Sequence, residues 1–238
     1  MSIQPIIRLL TASGMGARRQ MADAIKQGRV SVNGNTIESF THPVNPEKDK
    51  VTIDGKPVLA QSNALTYLML NKPKGIVSTT SDDRNETTVL DIIPKKYQQA
   101  RLHPIGRLDK DSTGLILLTN DGALTNRLTH PRYQQEKEYL VQVEGTLKPA
   151  EQKNLEEGLA LEDGVTHRAK LQAINISPYN YSIIIHEGKN RQVRRMFAAL
   201  GYRVLKLKRI RISSLKLGPL PEGQTRELSA VELNALKK

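Results

Sequence analysis

Arg107, Asp109, Lys110 and Asp111 crowd one short stretch, Gly106-Arg107-Leu108-Asp109-Lys110-Asp111-Ser112-Thr113-Gly114, with both charge signs represented twice. A carboxylate kept ionised by neighbouring cations can attack or stabilise an electron-poor sugar or base. A pair of carboxylates can instead drive glycoside hydrolysis, the inverting form of which needs the two groups ~6.5 to 9.5 Å apart around a water. The competing local reading is that Asp before Ser-Thr-Gly is an Asx-turn or cap residue that satisfies nearby backbone groups.

The elements around this loop must hold it in place. Leu115 to Leu118 is an uninterrupted apolar run, read as a strand buried on both faces and closed by Asn120-Asp121-Gly122. Asp121 to His130 follows as a helix capped by Asn120 or Asp121 and ended at His130-Pro131. Glu136 to Glu144 alternates, with Tyr139, Val141 and Val143 on one face of a half-buried strand. Lys148 to Gly158 reads as a surface helix, and Arg168 to Ile176 and Tyr181 to His186 as strands. Between His186 and Arg211 stand nine Lys or Arg against one Glu. There Asn190 is expected to cap a helix running to Leu200, with Val193, Met196, Phe197 and Leu200 on its buried side and Arg191, Arg194 and Arg195 on another.

Upstream, a short helix over Ile6 to Leu10 and a second over residues 17 to 27 precede Arg29-Val30-Ser31-Val32 and the Asn33-Gly34 hairpin signal. In the second helix Met21, Ala24 and Ile25 share a face, and Arg18, Arg19 and Lys26 point away from it. Short strands are expected at Lys50 to Ile53 and Lys56 to Leu59. Small and polar residues around Ala60 to Ala64 mark a boundary, and the strand Thr66 to Leu70 then enters Asn71-Lys72-Pro73-Lys74-Gly75, whose two lysines could sit beside phosphate. A short helix is expected near Val89 to Ile93.

Composition narrows the partners. The 238 residues carry a net charge of +12 with a pI near 9.9, which suits a phosphate-rich partner. There is no Cys, so Cys-based zinc, thiolate and disulfide chemistry are excluded, and the five His show no ligand spacing. No metal is expected. No apolar run approaches the ~20 residues of a membrane helix, no secretory pattern opens the chain, and Gly14-Met15-Gly16 does not complete a dinucleotide fingerprint. A cytoplasmic protein acting as a monomer, without a small-molecule cofactor, is expected.

Gly-Arg-Leu-Asp followed by Ser-Thr-Gly-Leu, an apolar run and Thr-Asn-Asp-Gly resembles the catalytic motif of the bacterial rRNA pseudouridine synthases of the RsuA and RluB family. The resemblance makes Asp109 the catalytic carboxylate. It continues in Asn71-Lys72-Pro73-Lys74-Gly75, in Lys137-Glu138-Tyr139, where the Tyr stacks on the target base and is a candidate proton acceptor, and in Gly188 to Met196, where the basic residue after Gln192-Val193, Arg194, pairs with the catalytic Asp. Ser213-Ser214 departs from the Gly-Pro usual in the family. Arg18-Arg19 with Gly28 to Gly34 resembles the S4 RNA-binding domain, and that wording leans toward enzymes of the large subunit.

The expectation is therefore an α+β chain: an S4-like (αL-like) module over residues 1–60, a linker over 61–65, and a catalytic domain over 66–238 built on a mixed, mainly antiparallel sheet with flanking helices. Asp109, Tyr139 and Arg194 would carry catalysis. Arg18, Arg19, Lys26, Arg29, Lys72, Lys74, Arg107, Lys189, Arg191 and Arg195 would contact RNA. The partner would be ribosomal RNA or an assembling ribosomal subunit, with a non-catalytic RNA-binding assembly factor as the rival reading.

Overall fold

A computed structural model describes residues 3–58, 64–80 and 85–238. Contacts divide the chain into two compact units, Met1–Ala64 and Leu65–Lys238. Residues 61–63 of the expected linker, and Leu59 at the end of an expected strand, lie outside the described residues.

The first unit opens with β1 (Gln4–Pro5), α1 (Ile6–Ser13) and α2 (Arg18–Lys26). Gly14, at φ +77°, ends α1 in the left-handed conformation that a glycine adopts without strain. β2 (Val30–Val32), β3 (Asn35–Thr36), β4 (Pro43–Val44), β5 (Val51–Ile53) and β6 (Lys56–Pro57) follow. β2, β3, β5 and β6 form an antiparallel sheet in the order β3-β2-β5-β6, and β1 pairs with β4. Met21, Ala24 and Ile25 of α2 pack with Ile6, Leu10, Val30 and Ile53 in one small core. The apolar stripe read from the sequence is the face that is buried.

The second unit is built on one mixed sheet. Its strands are β7 (Tyr67–Lys72), β8 (His103–Ile105), β9 (Thr113–Thr119), β10 (Lys137–Val143), β13 (Lys170–Ile176), β14 (Tyr179–Ile185), β15 (Val204–Ile212), β16 (Leu215–Lys216) and β17 (Thr225–Glu227), with β11 (Ala160–Leu161) and β12 (Gly164–Val165) forming a separate hairpin. The order is β13-β14-β10-β15-β9-β7-β17, with β16 joined to β15 and β8 to β9. Among the strands of this sheet in the described residues, only β15 and β9 pair in parallel. Helices α3 (Gly122–Thr129), α4 (Pro149–Glu157), α5 (Gln192–Ala199) and α6 (Ala230–Lys237) flank the sheet. Among the described residues no helix is long and apolar enough to cross a membrane.

The apolar run of β9 is explained by two cores. Ile116 and Leu118 join Leu70, Tyr139, Val141 and Phe197 in one core, whereas Leu115 and Leu117 join Met69, Leu124, Leu128 and Leu236 in the other. Successive side chains of a strand point to opposite faces, so a strand covered on both must be apolar throughout. Asp121 caps α3, accepting hydrogen bonds from the Ala123 and Leu124 amides. Ser213 takes φ +51° in the β15–β16 turn, a left-handed conformation that glycine adopts more easily.

Two expectations fail. Residues 89 to 93 are turn, not helix, because Asp91 accepts hydrogen bonds from the Thr88 amide and hydroxyl while the Val89 amide bonds Val77; the helical turn is a 3-10 segment at Lys95–Ala100. Asn190 does not cap α5 either. Arg191 stands at the cap, at φ +47° and without a capping side chain.

Candidate active site

The loop ahead of β9 is tethered along its whole backbone. Every carbonyl from Arg107 to Ser112 accepts a hydrogen bond. Arg209 Nη1 reaches Arg107 O at 3.4 Å, Ser78 Oγ reaches Leu108 O at 2.9 Å, and the Ser112 amide reaches Asp109 O at 3.0 Å. The Gly75 amide reaches Lys110 O at 2.8 Å, Arg194 Nη2 reaches Asp111 O at 3.2 Å, and Lys72 Nζ reaches Ser112 O at 2.8 Å. Three of the six donors are cations, whose hydrogen bonds are the stronger kind. The loop is rigid where a reacting carboxylate has to be aimed.

Sheet register explains which residues gather beneath it. Lys72 lies opposite Gly114, Gly114 opposite Arg209, and Arg209 opposite Tyr139, one row across β7, β9, β15 and β10. Partners in such a row share a face. Arg209 is 2 % exposed, donates from Nε to Leu115 O at 2.7 Å, and places Nη1 3.5 Å from the Tyr139 hydroxyl with its guanidinium carbon 6.0 Å from the Tyr139 ring centroid. Tyr139 is 7 % exposed and belongs to the same core as Phe197. Burial, with the Arg209 charge adding to it, brings the Lys137 ammonium down to about 8.

Lys72 corrects an expectation. It was read as a phosphate contact, but it is 0 % exposed and its ammonium is turned under the loop onto Pro73 O and Ser112 O. β7 runs on through Lys72 in pairing with Gly114, so the side chain belongs to the sheet and not to the exit turn. Burial lowers it to about 8 against the pull of Asp111, Asp109 and Glu222, with Arg209 lowering it further.

The charges above the row pair differently from the expected arrangement. Arg194 was assigned to Asp109; its direct partner is Asp111, at 3.2 Å from Nη2, while Nη1 donates to Val204 O at 3.0 Å. Arg191, expected to contact RNA, grips Asp111 with both terminal nitrogens at 3.1 Å and lies 3.9 Å from Asp109 Oδ2. The left-handed backbone of Arg191 turns its side chain back over the loop, and Asp111 stands two residues beyond Asp109, nearer to α5. Burial pulls the Arg194 guanidinium below its ordinary value, opposed by Asp111 and Asp109. At Asp111 burial works upward, but the hydrogen bonds from Arg191 and the Arg194 and Arg191 charges outweigh it and hold the carboxyl below its ordinary value. An acid so held is a poor proton donor.

The other expected contacts divide into free and engaged groups. Lys74 and Arg107 are exposed, with no hydrogen bond or ion pair from their side chains among the described residues. Lys189 instead donates to Asp163 O and Val165 O, and Arg195 grips the Asp163 carboxylate at 2.8 and 2.9 Å. Both tie α5 to the β11–β12 hairpin. In the first unit Arg18 and Arg19 are exposed without a partner among the described residues, Lys26 lies 5.8 Å from the Phe40 ring centroid, and Arg29 forks onto Asp54. Arg209 and Ser78 escaped the sequence reading. The signal for Arg209 is the break at Lys208-Arg209, where the apolar positions of β15 change from Leu207 to Ile210 and Ile212, and where a register shift falls between Glu138 and Tyr139 of the partner strand. Among the described residues no cluster of His, Asp or Glu could hold a metal ion.

Comparison with known proteins matches residues 66–199 to a family described as RNA pseudouridylate synthase. The chain is 38% identical over 234 residues to Ribosomal large subunit pseudouridine synthase B of Bacillus subtilis (strain 168), covering 97% of this chain and 94% of that one. It is also 38% identical to an uncharacterized RNA pseudouridine synthase of Aquifex aeolicus (strain VF5), covering 98% of this chain and 93% of the relative. A crystal structure of a pseudouridylate synthase superposes with a TM-score of 0.70 at 33% identity, over 98% of this chain and 99% of that one.

Proposed function

Because this chain belongs to the RNA pseudouridylate synthase family and is thus an isomerase, we propose that it converts a uridine of ribosomal RNA to pseudouridine, with Asp109 as its catalytic carboxylate. The observation that carries the reading is the loop itself: its six carbonyls all accept hydrogen bonds, and the Asp109 side chain keeps partial exposure beside one guanidinium at 3.9 Å. The name of the Bacillus subtilis relative supports the large-subunit side of the proposal.

The isomerisation breaks the bond from N1 to the ribose, turns the base, joins C5 to C1′, and gives up the C5 proton while N1 gains one, so that atoms balance. No water is consumed and no redox change occurs. A paired or stacked uridine is out of reach of a fixed carboxylate, so the nucleotide must be flipped into the cleft. Asp109 then attacks or stabilises the sugar or base, Arg191 lies beside its carboxylate at 3.9 Å, and Tyr139 forms the wall of the base site and takes the C5 proton. Arg194 acts from one residue further away than a direct pair, through Asp111.

The Met1–Ala64 unit is proposed to be an S4-like RNA-binding module. The unpaired Arg18 and Arg19 on the face of α2 opposite its core support this, since a cationic face free of internal partners is what a phosphate backbone recruits. Leu65–Lys238 would hold the chemistry. The reaction takes place in the cytoplasm, where ribosomal RNA is assembled into subunits.

The test is a map of pseudouridines in ribosomal RNA from cells with and without this protein. One uridine should lose its modification in the deletion strain and regain it when the gene is restored. An unchanged map, from a protein that still binds the RNA, would favour a binding or assembly role instead.

A further inference from the structure

Beside Asp111 lies a cleft of about 420 Å³, lined by Lys74, Asp111, Arg191, Arg194, Arg203 and Leu205 among others. Sheet topology makes it. β7 leaves the sheet, and β9 and β15 enter it, at one and the same end, because β7 is antiparallel and β15 parallel to β9. Lys74 therefore stands just past the end of one neighbour of β9, and Arg203 just before the start of the other.

The four cations of this cleft are not equivalent. Arg191 and Arg194 are committed to Asp111. Lys74 and Arg203 are exposed, and among the described residues their side chains form no hydrogen bond or ion pair. Two carboxylates, Asp111 in the cleft and Asp109 3.9 Å from Arg191, stand against the four cations, which leaves a local excess of positive charge, and the repulsion is relieved when an anion enters. Ala198, Val204 and Leu205 supply an apolar wall on the same cleft, and Leu205 is 40% exposed. A concave site of this size, with an apolar wall and a few convergent cations, suits a sugar joined to a phosphate. A simple surface patch would lack the wall.

Resting on the reading of RNA uridine as substrate, we propose that this cleft is the seat of one backbone phosphate flanking the flipped nucleotide, held by Arg203 and Lys74 from its two sides, with the adjoining ribose against Leu205. Asp111 is shared between this seat and Arg191, which lies 3.9 Å from Asp109, so seating the phosphate fixes the register of the strand relative to the catalytic carboxylate. Arg203 is a positioning contact that no motif marks.

The experiment uses the full chain and a uridine-centred RNA oligonucleotide, with each linkage in turn replaced by a neutral methylphosphonate. Affinity is measured across salt concentration for wild type, Arg203→Ala, Lys74→Ala and the double variant, and pseudouridine formation by wild type is read on the same oligonucleotides. One linkage next to the target uridine should cost the wild type a slope of about 0.7 in log affinity against log salt, the share of one phosphate on a single strand. Arg203→Ala and the double variant should be indifferent to that linkage while still responding to others. Variants that lose affinity equally at every linkage, or that retain the wild-type response at all of them, overturn the phosphate seat, and so does a wild type that binds none of the oligonucleotides. Binding with the expected linkage response but without pseudouridine would keep the seat and overturn the enzymatic reading instead.

Discussion

Gly114→Ala tests whether the row beneath the catalytic loop is as tight as its register implies. A Cβ on Gly114 would stand 2.2 Å from Arg209 O and 2.7 Å from Arg209 N, and Gly114 itself adopts φ +102°. The clashing atoms are the backbone of a neighbouring strand, so no side chain can swing aside. An L residue in this backbone region costs about 1–3 kcal/mol, and overpacking against a fixed neighbour adds about 1–3 kcal/mol. Their sum, roughly 2–6 kcal/mol, is a large part of the stability of an ordinary domain. Relief requires β9 and β15 to part where Arg209 ties Arg107 O and faces Tyr139, so pseudouridine formation should fall along with stability. Urea unfolding of both proteins, with the slopes compared to establish that the same surface is exposed, gives the loss directly. A loss below about 1 kcal/mol with an unchanged slope would refute the argument from close approach.

Two further variants probe the charges. Lys72, lowered to about 8 chiefly by burial, ordinarily titrates at 10.5, so between those values the unfolded chain binds the extra proton and this group's contribution to stability rises with pH. Wild type should gain stability relative to Lys72→Met as pH climbs through that window, and a difference that stays flat would contradict the burial of its charge. Asp111→Asn removes the anion that fixes Arg191 and Arg194; RNA affinity should hold or increase as negative charge is lost, while the single-turnover rate drops about ten- to a hundredfold, equivalent to roughly 1.4–3 kcal/mol of lost positioning. A rate that survives the change would mean that Asp111 does not organise the arginines.

The parts of this molecule that repeat were legible in the sequence, and the parts that depend on distant strands were not. Leu115 to Leu118 could be read as a doubly buried strand because two cores demand apolar residues at every position, and Val193, Met196 and Phe197 disclosed the inner face of α5 through their helical spacing. Lys72 misled because the Pro73-Lys74-Gly75 turn suggests an exit into solvent, whereas pairing with β9 carries the strand one residue further and turns the ammonium inward. Arg209 stands in a strand crowded with Lys206, Lys208 and Arg211, and only the bulge opposite Tyr139 distinguishes it from them. The exchange of partners between Asp109 and Asp111 is of the same kind: two carboxylates two residues apart cannot be told apart by spacing when the arginines come from another element.

The central claim is that Asp109 performs the chemistry and does not hold the fold. It is most directly tested by incubating wild type and Asp109→Asn with the same ribosomal RNA under single-turnover conditions and measuring bound RNA and pseudouridine in each sample. The account predicts equal unfolding transitions and comparable binding, with pseudouridine formed by the wild type and none by the variant. Normal turnover by a folded Asp109→Asn protein would contradict it.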